Sequence, residues 1–198
     1  FNVDMRLRPS GQKGPVATSI NSFEFYQKND AWVWETLALS RGRVIAGNTE
    51  LKKKLKNIIK EILEKECSYK QVTKEVSKMR DSLLLEKMPS KNFLQVKDGP
   101  GNLKDLELLI QMGCLIKKQF NYQSPYRMLK ILKQVDFFSK EEFDICRSAY
   151  SLYFSIQQIS SIVGNEDTLE EHCQIGLKVS NLSYFKSGNE LRSKLQFF

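Results

Sequence analysis

The stretch Thr49-Glu50-Leu51-Lys52-Lys53-Lys54-Leu55-Lys56-Asn57-Ile58-Ile59-Lys60-Glu61-Ile62-Leu63-Glu64-Lys65-Glu66 decides the architecture. Leu51, Leu55, Ile58, Ile59, Ile62 and Leu63 recur at three- and four-residue intervals, so they share one stripe of an α-helix with lysines opposite. Such a stripe must be buried against other helices, and Val72, Val76, Met79 and Leu83 repeat the pattern over residues 69–88. Beyond residue 30 nearly the whole chain reads this way. Helices are expected at about 31–46, 49–66, 69–88, 103–120, 125–135, 139–164, 167–180 and 187–197. Breaks fall at Gly47-Asn48, Pro89-Ser90, residues 98–102, Ser124-Pro125 and Gly188. Tyr150, Tyr153 and Phe154 read as core, and the lysines of 52–56 as a solvated helix face.

Upstream the period changes. Val3, Met5 and Leu7 alternate with Asp4, Arg6 and Arg8, the two-residue repeat of a strand. Residues 9–15 (Pro-Ser-Gly-Gln-Lys-Gly-Pro) form a turn by composition, and Val16-Ala17-Thr18 offers a second strand to close a hairpin. Ser19 and Asn21 are capping residues for a short helix through Phe23–Gln27. The charged row Asp4-Arg6-Arg8 fits an edge strand with a solvated face. It also admits an acid that holds a divalent metal beside arginines that neutralise phosphate oxygens, although spacing alone favours the solvated strand.

Composition narrows the classes. The chain has 198 residues, 41% hydrophobic and 27% charged, enough for one globular domain or for one domain and part of another. It has no membrane-length apolar run and no signal-peptide pattern, so no membrane is expected. Cys67, Cys114, Cys146 and Cys173 are dispersed without a C-x-x-C pair, as suits a reducing cytoplasm. His172 is the only histidine, which disfavours a His-based zinc site or a Ser-His triad. The net charge of +8 is spread mainly over lysines and matches no nucleic-acid motif, so it points no further than an anionic partner.

Two helices place charges among apolar groups. In 31–46, Trp32, Val33, Trp34, Leu37, Leu39, Val44 and Ile45 surround the wheel, so Glu35 and Arg41 are expected to be buried and paired, or bound to something charged. The same reading brings Arg41 or Arg43 near a phosphate. In 102–116, Glu107 lies among Leu103, Ile110 and Cys114, while Asp105 sits about 200° away around the wheel. Asp105, three residues after the capping Asn102, resembles a capping-box acid. Glu107 needs a distant cation, for which Arg6, Arg8, Arg41 and Arg43 are candidates. Upstream, Gly99-Pro100-Gly101 feeds the helix start and offers backbone N–H groups to an anion.

Three blocks in order resemble the bacterial glutamine synthetase adenylyltransferase/deadenylase family. They are Asp4-x-Arg6-Leu7-Arg8-Pro9-Ser10-Gly11; Tyr26-Gln27-Lys28-Asn29-Asp30-Ala31-Trp32-Val33-Trp34-Glu35, running on to Ala38-Leu39-x-Arg41-x-Arg43-Val44; and Gly99-Pro100-Gly101-x-Leu103-x-Asp105-Leu106-Glu107. The Arg-Pro-Ser-Gly turn and the Trp-x-Trp-Glu run look like the C-terminal, adenylyltransferase half. The resemblance implies a mainly α chain: a short β hairpin ending a polymerase-β-like nucleotidyltransferase domain (residues 1–47), then an α-helical bundle domain (48–198). It implies Mg²⁺-dependent transfer of AMP from ATP to a tyrosine of glutamine synthetase, in the cytoplasm, with the PII signal protein as a further partner and no nucleic acid.

By the same resemblance Asp4 is the metal-ligating, catalytic carboxylate and Arg6 its catalytic neighbour. Arg8, Arg41, Arg43, Gly99, Gly101, Asp105 and Glu107 line the nucleotide site or its wall, with Glu35 at a matching position. The family's two other carboxylates come from a Gly-Ser…Asp-x-Asp motif absent from this sequence, so these 198 residues alone are expected not to transfer AMP. Asn102, Gly42 and Leu108 stand where the family usually has glycine, alanine and an aromatic residue. Gly42 is expected to loosen its helix by about 0.5–1 kcal/mol. Two other readings remain: the uridylyltransferase of the PII protein, against which the Trp32-x-Trp34-Glu35 block argues, and a non-catalytic helical binding module.

Overall fold

Side-chain caps set most of the helix starts. In the computed structural model, which describes residues 8–9, 11–86, 93–95, 101–120, 124–163 and 168–170, α1 (Ile20–Asn29) begins where Ser19 Oγ accepts the Ser22 N–H at 3.1 Å. After α2 (Val33–Leu39), α3 (Thr49–Glu64) begins where Asn48 Oδ1 accepts the Leu51 N–H at 2.8 Å. Then come α4 (Tyr69–Glu86), α5 (Leu103–Ile116) and α6 (Pro125–Gln134), the last opened by a proline whose missing N–H costs nothing at a helix start. A reciprocal capping box opens α7 (Lys140–Val163): the Ser139 N–H reaches Glu142 Oε2 at 2.8 Å, and the Glu142 N–H reaches Ser139 Oγ at 3.2 Å. The strands β1 (Phe93–Gln95) and β2 (Thr168–Glu170) pair antiparallel, with Leu94 opposite Leu169.

The chain divides into two units, one drawn from residues 1–77 and 111–123, the other from 78–110 and 124–198. In the first, α1 and α2 pack on α3. Leu37, Ile59, Leu63, Val72 and Leu115 are buried together, with Phe23, Leu55 and Met112 packed against them. Lys28 Nζ joins α1 to α3, donating to Glu24 at 2.6 Å and Glu61 at 3.0 Å, and these bonds raise the lysine's pKa. In the second unit α6 packs on α7. Leu129, Leu132, Tyr153 and Ile156 are buried, and Tyr150 stacks on the partly exposed Phe154 at 5.7 Å.

The mainly helical reading holds, with local corrections. Residues 16–18 are not a strand: they are irregular and exposed, after a 3-10 turn at Gly11–Lys13. Pro15 has no N–H for a ladder, and Ser19 at once takes up its cap, so no room remains for pairing. Of the expected strand 3–8, only Arg8 lies within the described residues. Helix 31–46 shrinks to α2, which then tightens through i→i−3 bonds, Arg41 N–H to the Ala38 carbonyl at 3.1 Å and Gly42 N–H to the Leu39 carbonyl at 2.8 Å.

A Cβ on Gly42 would lie 3.0 Å from the Leu39 oxygen, so this glycine suits the turn rather than loosening a helix. Shortening also empties the apolar wheel: Leu37 is buried, but Trp32 and Ile45 are 65% and 81% exposed. Residues 168–170 are strand rather than helix, because they complete the backbone hydrogen bonding of 93–95. The expected helix 187–197 lies outside the described residues.

Helix α5 stops at Ile116, short of the expected 120, without a glycine. Lys118 takes a left-handed conformation (φ 53°), with its N–H on the Leu115 carbonyl at 3.3 Å and the Gln119 N–H on the Cys114 carbonyl at 2.8 Å. This is a Schellman cap, and Asp136 (φ 51°) repeats it after α6. A side chain in that region costs roughly 1 kcal/mol relative to glycine. Lys118→Gly is therefore expected to raise stability by about 0.5–1 kcal/mol in denaturant titration with an unchanged m-value.

Candidate functional site

Arg8 sits at the head of a tight turn. The Gly11 N–H reaches the Arg8 carbonyl at 2.8 Å, the Gly14 N–H reaches the Gly11 carbonyl at 3.2 Å, and Gly11 has a φ of 56° that favours glycine. Arg8 Nε donates to the Gly14 carbonyl at 3.2 Å, so the guanidinium ties the turn it precedes. Asp4 and Arg6 lie outside the described residues, as does Gly99.

Glu35 has found different company from that expected. Its Oε1 accepts the Tyr26 hydroxyl at 2.9 Å and its Oε2 accepts the Trp32 N–H at 2.8 Å, so one carboxylate caps α2 and clasps it to α1. The partners are a phenol and a backbone amide rather than an arginine, and the carboxylate is only half-buried. Arg41 and Arg43 are both exposed, beyond the end of α2. The expectation of a buried Arg41 fails because the helix has ended before it arrives.

The second cluster forms at the start of α5. Gly101, with φ 72°, turns the chain so that its N–H donates to Asp105 Oδ2 at 2.8 Å. The expected capping role of Asp105 is present, shifted by one residue from Asn102 to Gly101. Asp105 also pairs with Arg80, whose Nη2 lies 3.2 Å from Oδ2 while Nε pairs with Oδ1. Both are largely withdrawn from solvent, at 11% and 26% exposure, so this is a fork-to-carboxylate pair in a sheltered setting. Glu107 is half-buried on the same helix.

The sequence reading missed Arg80, although a signal was there. Val72, Val76 and Arg80 follow at four-residue steps, which puts a guanidinium on the core-facing stripe of α4.

Among the described residues no three His, Cys, Asp or Glu side chains converge, and Asp105 is committed to Arg80 and Gly101. Burial pushes the Cys114 thiol up to about 12, and burial with the nearby Glu142 raises Cys146, while Cys67 is exposed. Among the described residues no helix is long and apolar enough to cross a membrane.

Fold and site define a helical module whose helix starts are held by hydroxyl, amide and carboxylate caps, preceded by an arginine-tied turn. A family profile described as glutamate-ammonia ligase adenylyltransferase matches residues 1–58. Proteins described as bifunctional glutamine synthetase adenylyltransferase/adenylyl-removing enzyme match most of the chain. That of Agrobacterium fabrum is 40% identical over 164 residues, 80% of this chain and 16% of the relative. Those of Rhizobium meliloti and Brucella suis are 35% and 34% identical over 89% and 84% of the chain, and 18% and 17% of the relatives. The chain belongs to this adenylyltransferase family, and it spans about one sixth of the length of the relatives it matches.

Two measurements check the site. In a double-mutant cycle, Arg80→Met and Asp105→Asn should each cost roughly 1–3 kcal/mol, with a coupling of about 1 kcal/mol or more, as a sheltered charged hydrogen bond requires. Additive losses would show that the two side chains do not act together. With iodoacetamide and peptide mass mapping, Cys67 should be alkylated in the native protein while Cys114 is protected until unfolding.

Proposed function

We propose that the chain is part of the adenylyltransferase half of a bifunctional enzyme that transfers AMP from ATP to a tyrosine of glutamine synthetase and so regulates nitrogen assimilation. The observation that carries this reading is the place of the family match. Residues 1–58 are the stretch that holds both Asp4-x-Arg6-x-Arg8 and the Tyr26-to-Val44 block. In this reading residues 1–47 end a nucleotidyltransferase domain, and 48–198 follow as a helical domain. Mg²⁺ is the cofactor, ATP the nucleotide, PII a regulatory partner and the cytoplasm the compartment.

Asp4 supplies one carboxylate of the metal site, and Arg6 and Arg8 neutralise phosphate charge. Arg41, Arg43, Gly99 and Glu107 belong to the wall of the nucleotide site. Gly101 and Asp105 serve that wall from behind, since each already holds a partner within the chain. Chemistry of this type depends on positioned charge, which a carboxylate-to-amide change removes without changing shape.

In the full-length parent protein, Asp4→Asn should lower AMP incorporation into glutamine synthetase about a hundredfold or more, roughly 3 kcal/mol of transition-state stabilisation. Unchanged transfer by this variant would remove Asp4 from the site. Labelled UTP in place of ATP should give no incorporation into the PII protein, and incorporation there would select the uridylyltransferase reading. The 198-residue chain by itself should incorporate no AMP, since its sequence lacks Gly-Ser…Asp-x-Asp.

A further inference from the structure

Helix α3 has three faces, and two of them are accounted for. Its apolar stripe is in the core through Ile58, Ile59, Ile62 and Leu63. One polar flank meets α1, where Lys54 Nζ donates to Asn21 Oδ1 at 3.2 Å and Glu61 pairs with Lys28 at 3.0 Å. Lys54 and Glu61 are seven residues apart and so share that flank. Round the helix from that flank, bordering the buried Ile59 and Leu63, lies a further surface with a different composition. Lys52, Lys56 and Lys60 follow at four-residue steps, with Lys53 beside them.

This surface is charged in one sense. Neighbouring ammonium groups at i,i+4 and i,i+3 repel one another, so the arrangement works against the helix that carries it. Lys52, Lys53 and Lys56 meet no carboxylate among the described residues. Lys60 has Glu64 at 3.7 Å, with both side chains at least half exposed. Glu50, three residues before Lys53, forms no ion pair with it among the described residues. Lys53, Lys56 and Lys60 are exposed, and Lys52 is half-buried.

We propose that the Lys52–Lys56–Lys60 stripe of α3, with Lys53 beside it, docks an acidic surface of the acceptor protein. The stripe is straight, about 12 Å long, with one positive charge per helical turn, the spacing at which carboxylates recur along one face of an acidic helix. Carboxylates fit it better than a nucleic acid does. Neither an aromatic ring to stack a base nor an arginine to fork a phosphate stands among these four positions. Charge complementarity of this kind steers encounter and fixes register, and it weakens with salt. The inference rests on the adenylyl-transfer reading for the identity of the acceptor, glutamine synthetase, and adds where that protein is held.

The test uses the full-length parent protein and glutamine synthetase, with the triple variant Lys53→Glu/Lys56→Glu/Lys60→Glu and a milder triple Gln variant. All three side chains are exposed, so far-UV circular dichroism and thermal midpoints should match the unaltered protein. Direct binding at low ionic strength should weaken at least tenfold in the Glu variant and less in the Gln variant, with a shallower salt dependence in both. The KM for glutamine synthetase should rise in parallel while the KM for ATP stays unchanged.

Unaltered affinity for glutamine synthetase in a folded Glu variant overturns the proposal, whatever the transfer activity. Lysine-dependent binding without any AMP transfer by the unaltered protein keeps the docking face and sinks the adenylyl-transfer reading. Tighter binding of a 20-nucleotide single strand than of glutamine synthetase, lost in the Glu variant, assigns the stripe to nucleic acid and also overturns the proposal.

Discussion

Leu63 has no surface left to solvent, and the first unit is organised by that fact. Around it come Leu37 from α2, Ile59 from α3 itself, Val72 from α4 and Leu115 from α5. Each such side chain gains roughly 1.5–3 kcal/mol by leaving water, against a net stability for a domain of about 5–15 kcal/mol. No single helix in the set could hide its stripe alone. Once α3 turns Ile58, Ile59, Ile62 and Leu63 inward, the rotation of the helix is fixed, and its polar positions follow. Glu61 and Lys54 must face α1, and Lys53, Lys56 and Lys60 must face elsewhere.

The sequence was most informative where pattern and punctuation agreed. In α3 the apolar stripe is bracketed by Asn48, in α6 by Ser124 and Pro125, and in α7 by Ser139 with Glu142. Residues 31–46 misled because a helical wheel presupposes a helix. Trp32 and Ile45 look like core on that wheel, yet one precedes α2 and the other lies beyond it. The end of α5 was hidden for another reason: its left-handed cap is Lys118, where a glycine would have announced the stop. Thr168–Glu170 read as helix because its pairing partner is more than seventy residues away, and a local pattern carries no trace of such a ladder.

The site divides in the same way. Asp105 was legible as an acid guarding a helix start, a local relation within four residues. Its cation was not, because Arg80 stands 25 positions upstream on another helix. Glu35 was correctly singled out as a charge needing an explanation, but the reading looked for a cation. Tyr26, in the same block, was passed over because a neutral hydroxyl satisfies a carboxylate as well when the helix N-terminus supplies the rest.

The Tyr26–Glu35 clasp also bears on the order of events in folding. Its ends are nine residues apart, and the loop between them is short. Loops of that size close in about 10–100 ns, and the entropy lost in closing them is small compared with that of joining distant segments. The corner between α1 and α2 can therefore sample its native angle before Leu115 arrives from α5. The chain then presents the rest of the first unit with a preformed docking edge, and the slow step is left to the contacts that span many residues.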